Sequence, residues 1–410
     1  MKECPSRRGR RISGTALPTN HLGPRAKKTQ DTQIETLQFS TAVLDWAARQ
    51  AGVTLGEVAS QISRRSKRIV EGRLTPTQAE KFAQLVNVPF GFLFFDTPPE
   101  ARPVPIADFR SVQDREPLGQ EFFDVYDDVV YKQSWFSDYM RGIAASPVPF
   151  VGRFSEGKAT ALDLAKDMKA TLKLSSEVMR ATKNTDDLYA LVVKKAEEAG
   201  ALVFKNGVVG NNTRRRLPVS QFRGFAIIDK FAPAVFVNGS DAKAAWVFTL
   251  LHELAHVWLG ESGVSDAVPK PNDPTEVLCN AAAAEVLVPT EEFLRGWNER
   301  PNVDDVVRIE ILRRHFKVSA LVIARRAIDR GLITRNLYNS IYAAARKEGS
   351  SSSGGDFYAT LGARNGKRFA DTVSTLAQAG DLGLRQAGRL LNTTPSNVLN
   401  YFDRRHAIPA

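Results

Sequence analysis

Two histidines four residues apart, with a glutamate beside the first, are the residues best placed to do chemistry: Leu250-Leu251-His252-Glu253-Leu254-Ala255-His256-Val257-Trp258. On a helix, positions i and i+4 share a face, so both imidazoles can reach one cation. Glu253 is not needed as a ligand. A carboxylate there can hold a water whose pKa a zinc ion lowers to ~7, deprotonate it, and pass the proton to a leaving amine. A catalytic zinc site takes three protein ligands and keeps a fourth position open, and two histidines with one glutamate form a known set. Pro274 to Pro289 offers the third ligand as Glu276 or Glu285. Manganese or iron can also occupy such a set. The five-residue pattern alone also fits an amphipathic helix with two packed histidines. The apolar flanks, which would exclude water, and the carboxylates downstream favour the metal.

These residues need two helices brought together. Ala242–Leu259 reads as one helix, with Ser240 or Asp241 as N-cap and Gly260 just past its end. Pro274 suits the first position of a second helix, behind Asp273 and running to about Val288. Ala281–Ala284 has little bulk and lets that helix approach closely. Cys279 is a soft ligand in principle, but free cysteine more often lies buried. Asn280, on the Glu276 face, can orient a ligand by hydrogen bond. His21, His315 and His406 have no partner at ligand spacing. Ala201–Lys205, Gly224–Asp229 and Ala234–Val237 carry strand signals, the last two joined by a short turn. Ala234–Asn238 leads into the histidine helix; as an edge strand it would accept an extended polypeptide by strand addition, and as a core strand it would not.

The hairpin, Phe248 to His256, and Glu276-x-x-Cys279-Asn280-Ala281 through Leu287-Val288-Pro289 together resemble the ImmA/IrrE family of bacterial and phage metallopeptidases, over about Gly224 to Arg330. The resemblance implies that Glu276 completes a zinc site and that Glu285 supports the ligands or the fold. It also implies a polypeptide substrate, a repressor or antitoxin, in a phage, mobile-element or toxin–antitoxin setting. Val53–Ala59, Ser63–Gly72, Pro76-Thr77 and Phe82–Val86 resemble an XRE/Cro-type helix-turn-helix. That implies DNA contacts from Arg64, Arg65, Lys67 and Arg68. The interval from Ala59 to Glu71 is about two residues shorter than the usual pattern, which changes the angle of the reading helix. The unit therefore binds DNA, binds a partner, or regulates the peptidase. Leu312–Ser319 with Val322-Ile323 resembles the family's helical cap and is expected to pack. Ala387–Leu399 fits a further helix-turn-helix or plain amphipathic packing.

The 410 residues carry a net charge of +11, which favours acidic partners without fixing a fold. Eight Lys or Arg against two acids in Met1–Gln33 suggest a basic, disordered arm. Two cysteines, Cys4 and Cys279, make no disulfide framework, so a reducing cytoplasm is expected. The longest apolar run, about seven residues, falls far short of the ~18 a membrane span needs. The expected fold is α+β and mostly helical: an all-α helix-turn-helix-like domain joined to a zincin-like metallopeptidase domain with a small sheet and a helical C-terminal region. Its expected divisions are the arm (1–36), the helix-turn-helix-like domain (37–100), a helical connector (101–200), the peptidase domain with its cap (201–347), and a linker with a C-terminal helical segment (348–410). The competing function is a DNA-binding antitoxin or transcriptional regulator whose zinc pocket senses metal or ligand without proteolysis.

Overall fold

Side-chain caps set the helices of the N-terminal region. Thr54 Oγ1 accepts a hydrogen bond from Glu57 N while the Glu57 carboxylate accepts one from Thr54 N, and Thr75 and Gln78 repeat the exchange. In the computed structural model, which describes residues 36–100, 102–108, 118–157, 159–265, 273–347 and 357–406, these caps start α2 (Leu55–Ile62) and α4 (Pro76–Val86). They join α1 (Thr41–Gln50), α3 (Ser66–Val70) and a two-stranded ribbon, β1 (Leu37–Gln38) with β2 (Arg73–Leu74). Leu44, Val58, Ile69 and Phe82 close a core of their own, and the described residues up to Glu100 form one compact unit. Helix α3 has only five residues; it carries Lys67 and Arg68, while Arg64 and Arg65 sit in the turn before it, and all four are exposed. The expected basic arm, up to residue 35, lies outside the described residues, as does the linker expected to begin at residue 348, through residue 356.

The described residues from Arg102 onward form the second unit. In chain order it contains β3 (Ala107–Asp108), α5 (Gln120–Gly142), α6 (Ala161–Thr171), α7 (Ser176–Arg180), α8 (Thr185–Ala199), β4 (Leu202–Asn206), β5 (Val208–Val209), β6 (Asn212–Arg216), β7 (Gly224–Ile227), β8 (Ala234–Asn238), α9 (Lys243–Leu259), β9 (Gly263–Ser265), α10 (Pro274–Leu287), α11 (Thr290–Asn298), α12 (Asp305–Phe316), α13 (Ala320–Asp329), α14 (Arg335–Lys347), α15 (Phe357–Asn365), α16 (Lys367–Ala379), α17 (Leu384–Leu390) and α18 (Pro395–His406). The chain is thus mostly helical around a small mixed sheet of order β3-β9-β7-β8-β4. β7 runs antiparallel to its neighbours β9 and β8, and β3 and β4 join parallel to β9 and β8 respectively. Among the described residues no helix is long and apolar enough to cross a membrane.

The pleat sends alternate residues of β8 into two cores. Val235 and Val237 enter one with α6, α8, α9, α10, α12 and α13; Ala234 and Phe236 enter the other with α5 and the C-terminal helices. Burial on both faces explains why β8 is apolar along its length down to Asn238. Two open points are decided here. β8 is no edge strand: β7 and β4 hydrogen-bond to its two sides, so no extended chain can add to it. The C-terminal helices do not stand apart either, since Phe369, Val373, Leu390 and Tyr401 share a core with Phe204 and Phe236 of the sheet. Helix α5, expected as connector, builds the same core through Phe122, Val129 and Phe136. Within the cap, Ile309, Leu312, Ile323 and Ala324 are buried against the histidine helix's core, so these segments pack as expected.

Candidate metal centre

Helix α9 is apolar on nearly all sides, which demands burial all round. It receives that from the sheet on one side and from α8 and α10 on the other. Its N-cap position is Ala242, with Asp241 Oδ1 accepting from Ala242 N, so the helix starts one residue later than its polar caps suggested. Gly260, at φ 78°, ends it in the left-handed region. Asp273 caps α10 through Thr275 N and Glu276 N and fixes the first turn, where Glu276 stands. The small residues Ala282 and Ala283 are fully buried in the core that α9 and α10 share.

Inside this core the polar groups converge. His256 Nε2 lies 3.2 Å from His252 Nε2 and 3.0 Å from Glu276 Oε1, and His252 Nε2 lies 3.4 Å from Glu276 Oε2. For a tetrahedral ion bonded at ~2.0–2.1 Å, ligand atoms stand ~3.3–3.4 Å apart. The three side chains are thus spaced as such a ligand set, and they form the cluster of metal-ligating groups found among the described residues. Cys279 is not part of that cluster. Burial, then the nearby negative charge of Glu276, pushes its thiol well up, so it stays a neutral core residue.

The electrostatics call for a cation. Burial alone would raise the Glu276 carboxyl, but hydrogen bonds and charge from His252 and His256 outweigh it and hold the group at about 2. Glu253 is fully buried, and neither of its oxygens has a hydrogen-bond partner among the described residues. Burial first, and Glu276 next to the opposing pull of His252, push it up to about 8. A buried carboxylate with no partner is expensive to keep charged, and an ion held at the adjacent cluster would supply the missing positive charge. His256 is lowered by burial. His252 is raised: burial opposes its charge, but contact with Glu276 wins. A cavity of about 330 Å³ opens in front of Glu253 and His252, walled by Phe248, Val277, Leu321 and Arg325 among others.

Residues 196–327 match the peptidase M78 family model, described as the IrrE N-terminal-like domain. The matched segment contains strands β4 to β9, the histidine helix, the Glu276 helix and most of the cap. Residues 365–404 match a second model, a domain of unknown function (DUF8813), which takes in α16, α17 and most of α18. No curated protein and no solved structure matches the chain.

Of the residues singled out from sequence, His252, Glu253, His256 and Glu276 come together, and Asn280 joins them at the cavity wall. Asn280 Nδ2 donates to Glu276 O along α10, and its side chain favours charge on His252. Glu285 goes elsewhere. Its oxygens accept from Thr290 N and Oγ1 and pair with Arg326, tying α10 to α11 and α13. It is therefore a structural clamp and no ligand.

Two residues escaped the sequence reading. Ser265 reaches His252 Nε2 at 3.1 Å from β9, and nothing in its spacing from the histidines marks it. Gly224 opens β7 beneath Glu253: a Cβ there would come within 2.7 Å of Glu253 Oε1 and 2.9 Å of both Phe236 O and Thr249 Cγ2. A glycine inside a strand signals such a close approach. Gly224→Ala is expected to retain the metal, cost ~1–3 kcal/mol by overpacking, and displace the carboxylate enough to lower catalysis ~10²-fold. Metal content with thermal unfolding and a cleavage assay would check this, and a fully active variant would show that Glu253 needs no such seat.

Proposed function

We propose that this chain is a zinc-dependent endopeptidase that cleaves a regulatory protein, a repressor or antitoxin, and that Glu253 is its general base. The observation that carries the reading is the convergence of His252, His256 and Glu276 beside an unpaired, buried Glu253 within the IrrE N-terminal-like domain. Two nitrogens and one oxygen at tetrahedral spacing suit zinc better than magnesium, calcium or manganese, which favour octahedral oxygen sites. His252, His256 and Glu276 would hold the ion. When bound, it lowers the pKa of water and polarises a carbonyl.

The chain's own residues supply the remaining steps. Glu253 accepts the proton of the attacking water and delivers it to the leaving nitrogen, which carries the new amine away. Burial excludes bulk water from that transfer, and Gly224 leaves the carboxylate room to lie against the sheet. The apolar cavity wall receives the side chains that flank the scissile bond, while Arg325, held by Asp329 on α13, borders the same space. At about 330 Å³ the cavity is near the lower end of ligand pockets, ~300–1,000 Å³, so it accepts a short stretch of an unfolded or extended substrate.

Purified chain should carry about one divalent ion. Co-expression with a candidate repressor or antitoxin, such as the product of a neighbouring gene, should yield fragments of that protein; chelation should stop the fragmentation in vitro, and zinc should restore it. Undiminished fragmentation by metal-stripped chain would overturn the mechanism. Metal uptake with gene regulation and no fragments would favour the sensor reading.

A further inference from the structure

The Ser265 side chain is buried, at 2% exposure, with Oγ 3.1 Å from His252 Nε2. That nitrogen is the one turned toward His256 Nε2 and the Glu276 carboxylate. A group that only orients a ligating histidine contacts the other ring nitrogen, behind the ring. Ser265 therefore stands on the side of His252 where a bound ion would sit.

The sheet puts it there. β9 pairs antiparallel with β7, with Ser265 opposite Gly224, and Arg223 N donates to Ser265 O at 3.1 Å. Val264 enters the core on the far face, so the pleat aims Ser265 at α9. Its partner Gly224 is the residue against which Glu253 Oε1 lies. The serine hydroxyl and the glutamate carboxylate thus meet the same small space, one from β9 and one from α9.

Resting on the metallopeptidase reading, we propose that Ser265 is a further catalytic residue, whose hydroxyl holds the attacking water beside the open fourth position, across from Glu253. A hydroxyl suits this place. It offers one donor and two acceptor lone pairs, so it can bond a water in either sense. Being neutral, it also leaves the position exchangeable, whereas a cysteine or carboxylate would complete a closed, four-ligand site of the structural kind.

The test uses the full chain loaded with cobalt(II). Wild type should show visible ligand-field bands and no sulfur-to-cobalt charge-transfer band, because Cys279 is outside the ligand cluster. Ser265→Cys should add that band in the near ultraviolet, since a thiolate at this position reaches the ion. Ser265→Ala should bind one cobalt, unfold as wild type does, and lose ~10–100-fold in kcat with KM unchanged. A cobalt-loaded Ser265→Cys protein with the wild-type spectrum, or an Ser265→Ala protein with wild-type kcat, would overturn the proposal. Wild-type chain that takes up no cobalt would instead overturn the metal site itself, so the two failures read differently.

Discussion

Glu253→Gln is expected to keep the metal and the fold and to lower cleavage by ~10²–10⁴-fold, the usual contribution of a general base. The amide fills the same volume against Gly224 and cannot take a proton from water. Fragments of the co-expressed regulator, quantified by immunoblot or mass spectrometry, should be abundant with wild type and absent with the variant. Equal fragments from both would remove Glu253 from the mechanism. The metal-free protein gives an independent reading. The Glu253 carboxyl is raised from 4.5 to about 8, chiefly by burial. A raised carboxyl stabilises the fold while protonated, so its contribution is full below about pH 4.5 and lost as pH rises through about 8. Metal-free wild type should therefore lose melting temperature across that window relative to metal-free Glu253→Gln, and bound metal should narrow the difference.

The second large effect separates the two glutamates of α10. Glu276→Ala should lower metal affinity by more than the ~10–100-fold that loss of an outer hydrogen-bond partner costs, because it removes a ligand 3.0 Å from His256 Nε2. Its folded state should persist, since the neighbouring histidines can lose their protons. Glu285→Ala should behave in the opposite way. It strands Arg326, which is 8% exposed and packed against Val288 O, and removes the cap on Thr290. Loss of one partner of a buried pair costs roughly 3–5 kcal/mol, toward the lower end here because the pair keeps some solvent access. Metal titration followed by chemical denaturation would give both numbers. Glu285→Ala losing metal at unchanged stability would reverse the assignment.

Local pattern determined much of this protein. The i, i+4 histidines, the apolar flanks of α9, Pro274 behind Asp273, and the closing Gly260 are short-range signals, each with its cause inside one helical turn or cap. They marked both helices of the site within a residue or so. The choice between Glu276 and Glu285 was different: both lie on one helix, and only the packing of α10 against α9 turns the first toward the histidines and the second toward Arg326. The shortened segment after Ala59 was visible as a departure, but its outcome, a five-residue α3 with Arg64 and Arg65 left in the turn, required the folded unit.

The tertiary structure alone decided what sheet order decides. An apolar run such as Ala234–Asn238 reads the same at an edge as at the centre, because burial depends on which strands come to pair with it, and β4 arrives from thirty residues upstream. The C-terminal helices carry ordinary amphipathic spacing; that they bury it on the far face of the sheet follows from long-range contacts no local period encodes. Ser265 and Gly224 were silent for the same reason. A serine and a glycine become parts of a site only when antiparallel register sets them opposite one another beneath His252 and Glu253, and that register is a property of the sheet, not of either strand.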